Sequence, residues 1–407
     1  MAGRSSVHQA HEYAVESGWA ETSSTFGTRI QTVGRVETSG LTRGLVDSER
    51  TVQRMQGGSI PIQTVFGGSF TTDIHLPGHG STTAGAITIA DHENFLGNVI
   101  GNVVSNGAGT TVAAGSTASS INTAAVSGLS AGGLVSIGVL GDAGAGGQWG
   151  VVSSHGSSVA ALLTALPAAP ANAAIIYSSV LIHPTETASS AAITSSRHRL
   201  LTADQGYACH GCFPQSIAIS GLGNGGIPRA SITWGVSRWD PVSATFPSAT
   251  AADVFNPAPC AGGSLFEQIV GTVTRQTFAI RDFELNLDLN VIPIMGPGGV
   301  DAAQTIVGAI RGPQKVTFSF TVDAESATAS PAWPAKIGTN RHVLYSWNGA
   351  ATGRRGAFYA PNACVTDVHP VQSSVDGVNR ERITMTAYTG TTLTSDLTAS
   401  AYRIALG

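Results

Sequence analysis

Charge is scarce in this chain. Asp, Glu, Lys and Arg make up 11% of its 407 residues, and the formal net charge is −4. A strongly basic nucleic-acid binder is thereby excluded, because its affinity would rest on neutralising phosphates. A protein that encloses DNA without gripping it is not excluded. Four cysteines make no disulfide framework. No apolar run reaches the roughly 18 residues of a membrane span. The opening residues, Met1 to His8, lack the apolar core of a secretory signal, so the expected place of synthesis is the cytoplasm. There is also no phosphate-binding glycine loop ending in Lys-Ser or Lys-Thr.

What is abundant is small. Fifty glycines stand among many Ser, Thr and Ala, yet hydrophobic content is 42% and mean hydropathy is positive, which argues against a disordered chain. The length allows two or three domains. β patterns dominate. Phe70, Ile74 and Leu76 form one face of a segment whose other face carries Asp73 and His75. Phe283 to Asn290 alternates strictly, and so does Val316 to Val322. Ile232, Trp234 and Val236 alternate with polar residues, as do Ile383 and Met385. These are expected to be half-buried antiparallel strands with one face in a core. Ala90 to Ile100 has helical spacing and an Asp start signal at Asp91, and a weaker helix is expected near Asp301 to Ile310.

Two stretches echo each other about 151 positions apart: Gly226-Ile227-Pro228-Arg229 leading into Ile232-Thr233, and Gly377-Val378-Asn379-Arg380 leading into Ile383-Thr384. A second echo, Ser69-Phe70-Thr71-Thr72-Asp73 and Ser319-Phe320-Thr321-Val322-Asp323, is spaced by about 250. A duplicated β unit would leave both, provided about 100 residues entered the first copy between its two echoes. Residues 105–185, nearly devoid of Lys and Arg, supply that insert. The resulting organisation is a first β unit at 1–104 and 186–245, an inserted small β domain at 105–185 facing outward, and a second β unit at 246–407. Within the insert, 133–139, 148–152 and 174–178 read as short strands, and 165–170 as a turn.

Catalytic chemistry is thin. Gly128-Leu129-Ser130-Ala131-Gly132 fits a nucleophile-elbow pattern, but the pattern arises by chance about 0.6 times in a chain of this composition and lacks a strand–turn–helix setting. Cys209-His210-Gly211-Cys212 has no second ligand pair for a structural zinc, since Cys260 and Cys364 are isolated. His75 and His79 are four apart with Pro77 and Gly78 between them, which breaks any helical ligand pair. No catalytic, metal or cofactor residue is assigned, and an enzyme is not expected. The carboxylates are more informative. Glu284 and Asp288, with Asn286 and Asn290, line one polar strand face, which reads either as a solvated face or as the smooth acidic lining of a channel that repels a passing polyanion. Asp73 and Asp323, matched by the echo, extend that lining to both copies.

The segment Tyr359 to Asp367, followed by Val375-Asp376-Gly377-Val378 and the strand Arg382 to Tyr388, resembles the C-terminal part of tailed-bacteriophage tail tube proteins. Gly206-Tyr207 through Phe213-Pro214, the strand Ser216 to Ser220 and its return at Ile232 to Arg238 resemble the same family, as do Gly67-Gly68 before Phe70 to Leu76 and the helix near Asp91. The resemblance covers about two thirds of the chain, outside the insert. It implies a β-sandwich or barrel with a flanking helix in each unit and a long hairpin. Hairpins of neighbouring copies join edge to edge into a barrel whose bore transmits double-stranded DNA, so that no strand edge stays open. Gly226, Arg229, Gly377 and Arg380 fall at the hairpin and assembly positions. Most members form hexameric rings of one unit. Two units in one chain imply a trimeric ring with pseudo-sixfold symmetry, the hexamer being the alternative. The implied partners are further copies, other tail proteins such as the tape measure and terminator, and DNA held without specific contacts. The implied location is the virion tail. Other readings are a capsid, decoration or baseplate protein, or a glycan-binding module using Trp149 of the insert.

Overall fold

The computed structural model describes residues 10–20, 26, 28–33, 36–45, 64–76, 89, 91–106, 110–123, 129–138, 147–156, 158–163, 165–185, 193–201, 206–223, 225–242, 260–270, 275–297, 304–323, 337–349, 355–372, 379–389 and 396–407. The fold is mainly β. In chain order the elements begin with β1 (Ala10–Val15), β2 (Thr28–Ile30), β3 (Glu37–Leu45), β4 (Thr64–His75), α1 (Asp91–Ile100) and β5 (Asn102–Asn106). Six short strands follow: β6 (Thr110–Thr111), β7 (Ser120–Asn122), β8 (Leu134–Gly138), β9 (Gly147–His155), β10 (Val159–Leu162) and β11 (Ile175–Tyr177). Next come β12 (Ser179–His183), β13 (Ser196–Leu201), β14 (Gly206–Ser220), β15 (Arg229–Gly235) and β16 (Arg238–Val242). The remainder is β17 (Cys260–Ile269), β18 (Arg275–Asp288), β19 (Val291–Pro297), β20 (Gln304–Arg311), β21 (Lys315–Asp323), β22 (Arg341–Gly349), β23 (Arg355–Gln372), β24 (Asn379–Ala387), α2 (Asp396–Ala399) and β25 (Arg403–Leu406).

The later strands close a circuit of antiparallel pairings, from β17 through β18, β21, β24, β23 and β22 back to β17. The earlier strands run the same circuit: β1, then β2 and β3, then β4, β15, β14 and β13 back to β1. Two short strands, β2 and β3, stand where the second circuit has the single long β18. The agreement reaches the irregularities. Between β14 and β15 the ladder passes from Pro214–Trp234 to Ser216–Thr233 and bulges at Gln215. Between β23 and β24 it passes from Val365–Met385 to Asp367–Thr384 and bulges at Thr366. The β13–β14 ladder skips Arg197, and the β22–β23 ladder skips His342 at the matching step. The side pairings match too, with β16 on β14 and β25 on β23. Bulges are specific features of a strand pair, so two independent folds would not share their positions.

These ladders correct one detail of the sequence reading. Thr233 and Thr384 are counterparts, which makes Phe318 the counterpart of Phe70 and Thr321 the counterpart of Asp73. Asp323 instead matches His75. The echo beginning at Ser69 and Ser319 therefore joins the right strands two positions out of register. An even slip leaves every side chain on its own face, so alternation alone could not reveal it.

Alternation also builds the layers. One continuous sheet runs β3, β4, β15, the end of β14, the end of β18, β21, β24 and the end of β23. Its inner face presents Phe70, Ile232, Trp234, Ile217, Leu285, Leu287, Phe318 and Ile383 to one core shared by both circuits. Strands β12, β25, β22, β17 and the start of β23 supply the far side of that core with Val180, Ile404, Val343, Leu265 and Phe358. Their opposite face, with Leu181, Ala405, Leu344, Phe266 and Tyr359, packs against Leu134, Trp149 and Val151. Those three belong to a separate six-stranded sheet ordered β6, β11, β8, β9, β10, β7, which has its own small core around Ile121, Ile137 and Ile176. The chain leaves for this sheet along β5 and returns along β12, and the two pair antiparallel from Asn102–His183 to Asn106–Ser179. Such a two-strand stem lets a domain be inserted without disturbing the host.

The expected strands at 133–139, 148–152 and 174–178 appear as β8, β9 and β11, and 165–170 is free of strand. β6, β7 and β10 were not anticipated, being too short or too small-sided to show a pattern. The weaker helix expected near 301–310 is instead β20, which pairs with β19 as a hairpin. Ile306 and Ile310 are β-branched, and a neighbouring strand outweighs weak helical spacing. α1 does form: Phe95, Leu96, Val99 and Ile100 bury one face of it. No basic residue stands in its last turn. Arg311 of β20 donates to the carbonyls of Val99 and Ile100 instead, satisfying orphan acceptors at the helix end.

Candidate assembly and channel surface

The outer face of the continuous sheet is the candidate surface. Its described side chains alternate with the core residues: Ser69, Thr71, Asp73 and His75 on β4; Arg229, Ser231 and Thr233 on β15; Ser216, Ala218 and Ser220 on β14. Glu284, Asn286 and Asp288 follow on β18, then Lys315, Thr317 and Ser319 on β21, Arg382, Thr384 and Thr386 on β24, and Asp367 and His369 on β23. Ala218 is the one apolar side chain among them. The residues singled out from sequence fall into cross-strand rows. Asp73 faces Ser231, which faces Ala218, then Asn286, Thr317 and Thr386. Asp288 begins the adjoining row with Ser216 on one side and Lys315 on the other. Glu284 leads through Ser319 and Thr384 to Asp367.

The charges on this face largely cancel. Arg382 contacts the Glu284 carboxylate at 2.6 Å and also donates to Ser319 Oγ at 3.0 Å. His369 lies 2.7 Å from Asp367. Lys315 sits opposite Asp288 in the ladder. His75 titrates below its ordinary value, chiefly because burial disfavours its charged form, with Arg229 adding to the effect against a backbone hydrogen bond to Pro228. Over its described side chains the surface is thus hydrophilic, with acidic and basic groups nearly in balance.

Two other predicted positions behave differently. Asn290 lies just past β18 with φ of 43°, a left-handed turn conformation that asparagine tolerates better than most residues. It receives no strand partner and instead clamps the base of the β19–β20 hairpin, donating to Pro313 O at 3.1 Å and accepting from Gly312 N at 2.9 Å. Asp288 caps the same turn by accepting from the Asn290 N–H at 3.0 Å. Asp323 pairs through its backbone with Arg380 at the end of the β21–β24 ladder. Gly226 and Arg229 lie at the turn of the β14–β15 hairpin, with Gly226 O accepting from Cys260 N at 2.7 Å and Arg229 donating to Ser220 Oγ at 3.2 Å. Arg380 occupies the matching ladder position opposite Val371, and Gly377 lies outside the described residues.

The other motifs resolve into structure. Cys209 and Cys212 are buried and free within β14, and burial foremost pushes the Cys212 thiol well up. Gly211 between them has φ of 59°, and a Cβ there would meet Ser237 Cβ at 2.6 Å. Its N–H donates to the buried Glu16 carboxylate, whose own proton affinity burial raises. Ser130 sits in a turn ahead of β8, and Gly128 lies outside the described residues. No group of three or more His, Cys, Asp or Glu side chains gathers at metal-binding range among the described residues. Trp149 is 1% exposed, wedged between the six-stranded sheet and the main body, so it offers no face to a sugar ring.

Sequence reasoning missed a polar cluster inside the core. His11 Nε2 and His198 Nδ1 are 2.7 Å apart, and Ser196 Oγ lies 2.8 Å from His198 Nε2. Phe70, Phe95, Tyr13 and Trp234 wall this pair. Neither His stood out in the sequence, because β1 and β13 carry little alternation around them.

No protein-family model matches this chain, and no curated protein does. Among solved structures, it is similar to a chain of the anti-feeding prophage baseplate, seen by cryo-electron microscopy with 6-fold symmetry imposed. The identity is 9%, the TM-score is 0.24, and the match spans 35% of this chain and 91% of that one. Among the described residues no helix is long and apolar enough to cross a membrane.

Proposed function

We propose that this chain is a structural subunit of a phage tail tube, carrying two tube-like β units and assembling into rings that stack around a DNA channel. The observation that carries the reading is the repeated circuit, matched ladder by ladder down to its bulges. Tandem units of one design are what a pseudo-symmetric ring would use. The role is structural rather than catalytic, and the location is the virion tail.

The bare polar face is proposed to line the bore. Three copies would carry three times the eight strands of the continuous sheet. At about 4.8 Å per strand and a tilt of about 40°, such a closed sheet has a backbone diameter of about 48 Å, wide enough for a DNA duplex. Near-neutral Ser, Thr and Asn side chains with paired charges give phosphates nothing to grip, which suits passage without binding. The inserted sheet packs on the far side of the core from this face, so it would decorate the outside and leave the bore clear. The partners are further copies, the tape measure and terminator at the ends, and DNA in transit.

Negative-stain electron microscopy of the purified chain, with the mass of any ring, tests this. Hollow rings or rods with three chains per layer support it. Six chains per layer would keep the tube and remove the pseudo-sixfold reading. Closed shells would point to a capsid role, and a monomer under all conditions would sink the tube.

A further inference from the structure

Among the described ladders of the continuous sheet, one has no internal counterpart. The end of β14 pairs with the end of β18, with Ser216 opposite Asp288, Ile217 opposite Leu287, Ala218 opposite Asn286 and Ile219 opposite Leu285. This ladder stitches the first circuit to the second. The matched registers name the strands that would repeat it. β23 corresponds to β14, with Asp367 in the place of Ser216 and His369 in the place of Ala218. β3 corresponds to the end of β18, with Glu37 in the place of Glu284 and Ser39 in the place of Asn286. Both edges are open among the described residues: β3 pairs with β4 alone, and β23 beyond Val365 pairs with β24 alone. They are the two ends of the continuous sheet.

We infer that a second copy of this chain occupies each end, its β3 adding antiparallel to the outer part of β23 and repeating between chains the β14–β18 ladder found within one. Strand directions support it. Every step across the sheet from β3 to β23 is antiparallel, and eight strands bring the ends into the relation an antiparallel ninth requires. The chemistry of the β23 edge supports it as well. The Val368 N–H points away from β24 and is met by the Asp367 carboxylate at 2.9 Å. Its counterpart Ile217 is paired with Leu287 across the stitching ladder. An open strand edge is a template for another chain, and a short side-chain cap is readily displaced. Pro370 brings only its carbonyl, so Thr366 and Val368 supply most of the ladder. The contact is head to tail, using different surfaces on the two copies, and therefore closes into a ring or propagates as a filament.

This interface rests on the ring reading above, and the test separates the two. His369 and Ser39 are counterparts of Ala218 and Asn286. Leu289 N donates to Gln215 O at 3.0 Å, which makes Ala218–Asn286 a non-hydrogen-bonded pair with close Cβ atoms. Ser39→Cys with His369→Cys, in full-length protein with Cys364→Ser, should give oxidant-dependent covalent oligomers on denaturing gels. Either single variant, or Ser39→Cys with Thr317→Cys in the middle of the sheet, should give none. Val368→Pro should abolish association while circular dichroism and the urea midpoint stay unchanged, because the lost N–H faces away from β24. Rings without the 39–369 cross-link, surviving Val368→Pro, would overturn this interface and leave the ring reading standing. The cross-link in open filaments would uphold the interface and overturn the ring. Neither cross-link nor association would overturn both.

Discussion

Lowering the pH from 7 to 5 should weaken the fold through the His11–His198 pair. Burial holds the pKa of His11 down to about 3 and, with His11 beside it, keeps His198 well below its ordinary value. Both are therefore neutral when folded, one ring accepting the hydrogen bond the other donates. In the unfolded chain each titrates near 6.5. A depressed folded pKa means that the unfolded state binds more protons once pH falls below about 6.5, so stability present above that value is lost progressively toward pH 3. For the His11 pKa moved from 6.5 to about 3, the loss between pH 7 and pH 5 is about 2 kcal/mol, and His198 adds a loss of the same sign. That is a large share of an ordinary stability of about 5–15 kcal/mol. Glu16 works in the opposite direction. Its raised pKa adds stability as pH falls toward its unfolded value near 4.5, and it does so in wild type and histidine variants alike. Urea unfolding followed by tryptophan fluorescence measures the effect, since the Trp234 ring lies 4.4 Å from that of His198. The His11→Gln/His198→Asn protein should start less stable at pH 7 but lose less than wild type on going to pH 5, by at least the about 2 kcal/mol that His11 carries. An equal loss in both proteins would refute the assignment of this pH dependence to the pair.

Phe283→Ala should cost about 3–5 kcal/mol in urea unfolding, because Phe283 is 1% exposed and stacks on Tyr345 with centroids 4.2 Å apart. Glu267→Ala should cost about 3–5 kcal/mol by the same assay, since it strands the buried Arg341 guanidinium, whose nitrogen lies 3.2 Å from the carboxylate. Arg382→Ala should change stability by less than about 1 kcal/mol, its pair with Glu284 being about half exposed, while leaving the outer face more acidic. A larger fall in the urea midpoint would contradict a solvated pair. Gly211→Ala should lower the thermal midpoint, because it combines a positive φ with a Cβ clash against Ser237.

The sequence alone determined the strand character of this protein and which side of each strand is buried. Alternation in Phe70 to Leu76, Phe283 to Asp288 and Val316 to Val322 is a local property, and burial followed it in the first two, while in the third Ser319 and Thr321 on the polar side are buried as well. The echo around Gly226 and Gly377 likewise placed two hairpins whose ladders proved to be in the same register. What sequence could not decide were properties of partners. Whether Asp73 matches Asp323 or Thr321 depends on which residue stands across the ladder, and a slip of two leaves no trace in a period-two pattern. Whether Glu284 makes the face acidic depends on Arg382, which is brought beside it from a distant part of the chain. The weak helical spacing near Ile306 yielded to a neighbouring strand. Trp149 became an interior residue when the inserted sheet docked. Tertiary structure decided these points because each is set by contacts between segments far apart in the chain, and local patterning carries no information about which segments meet.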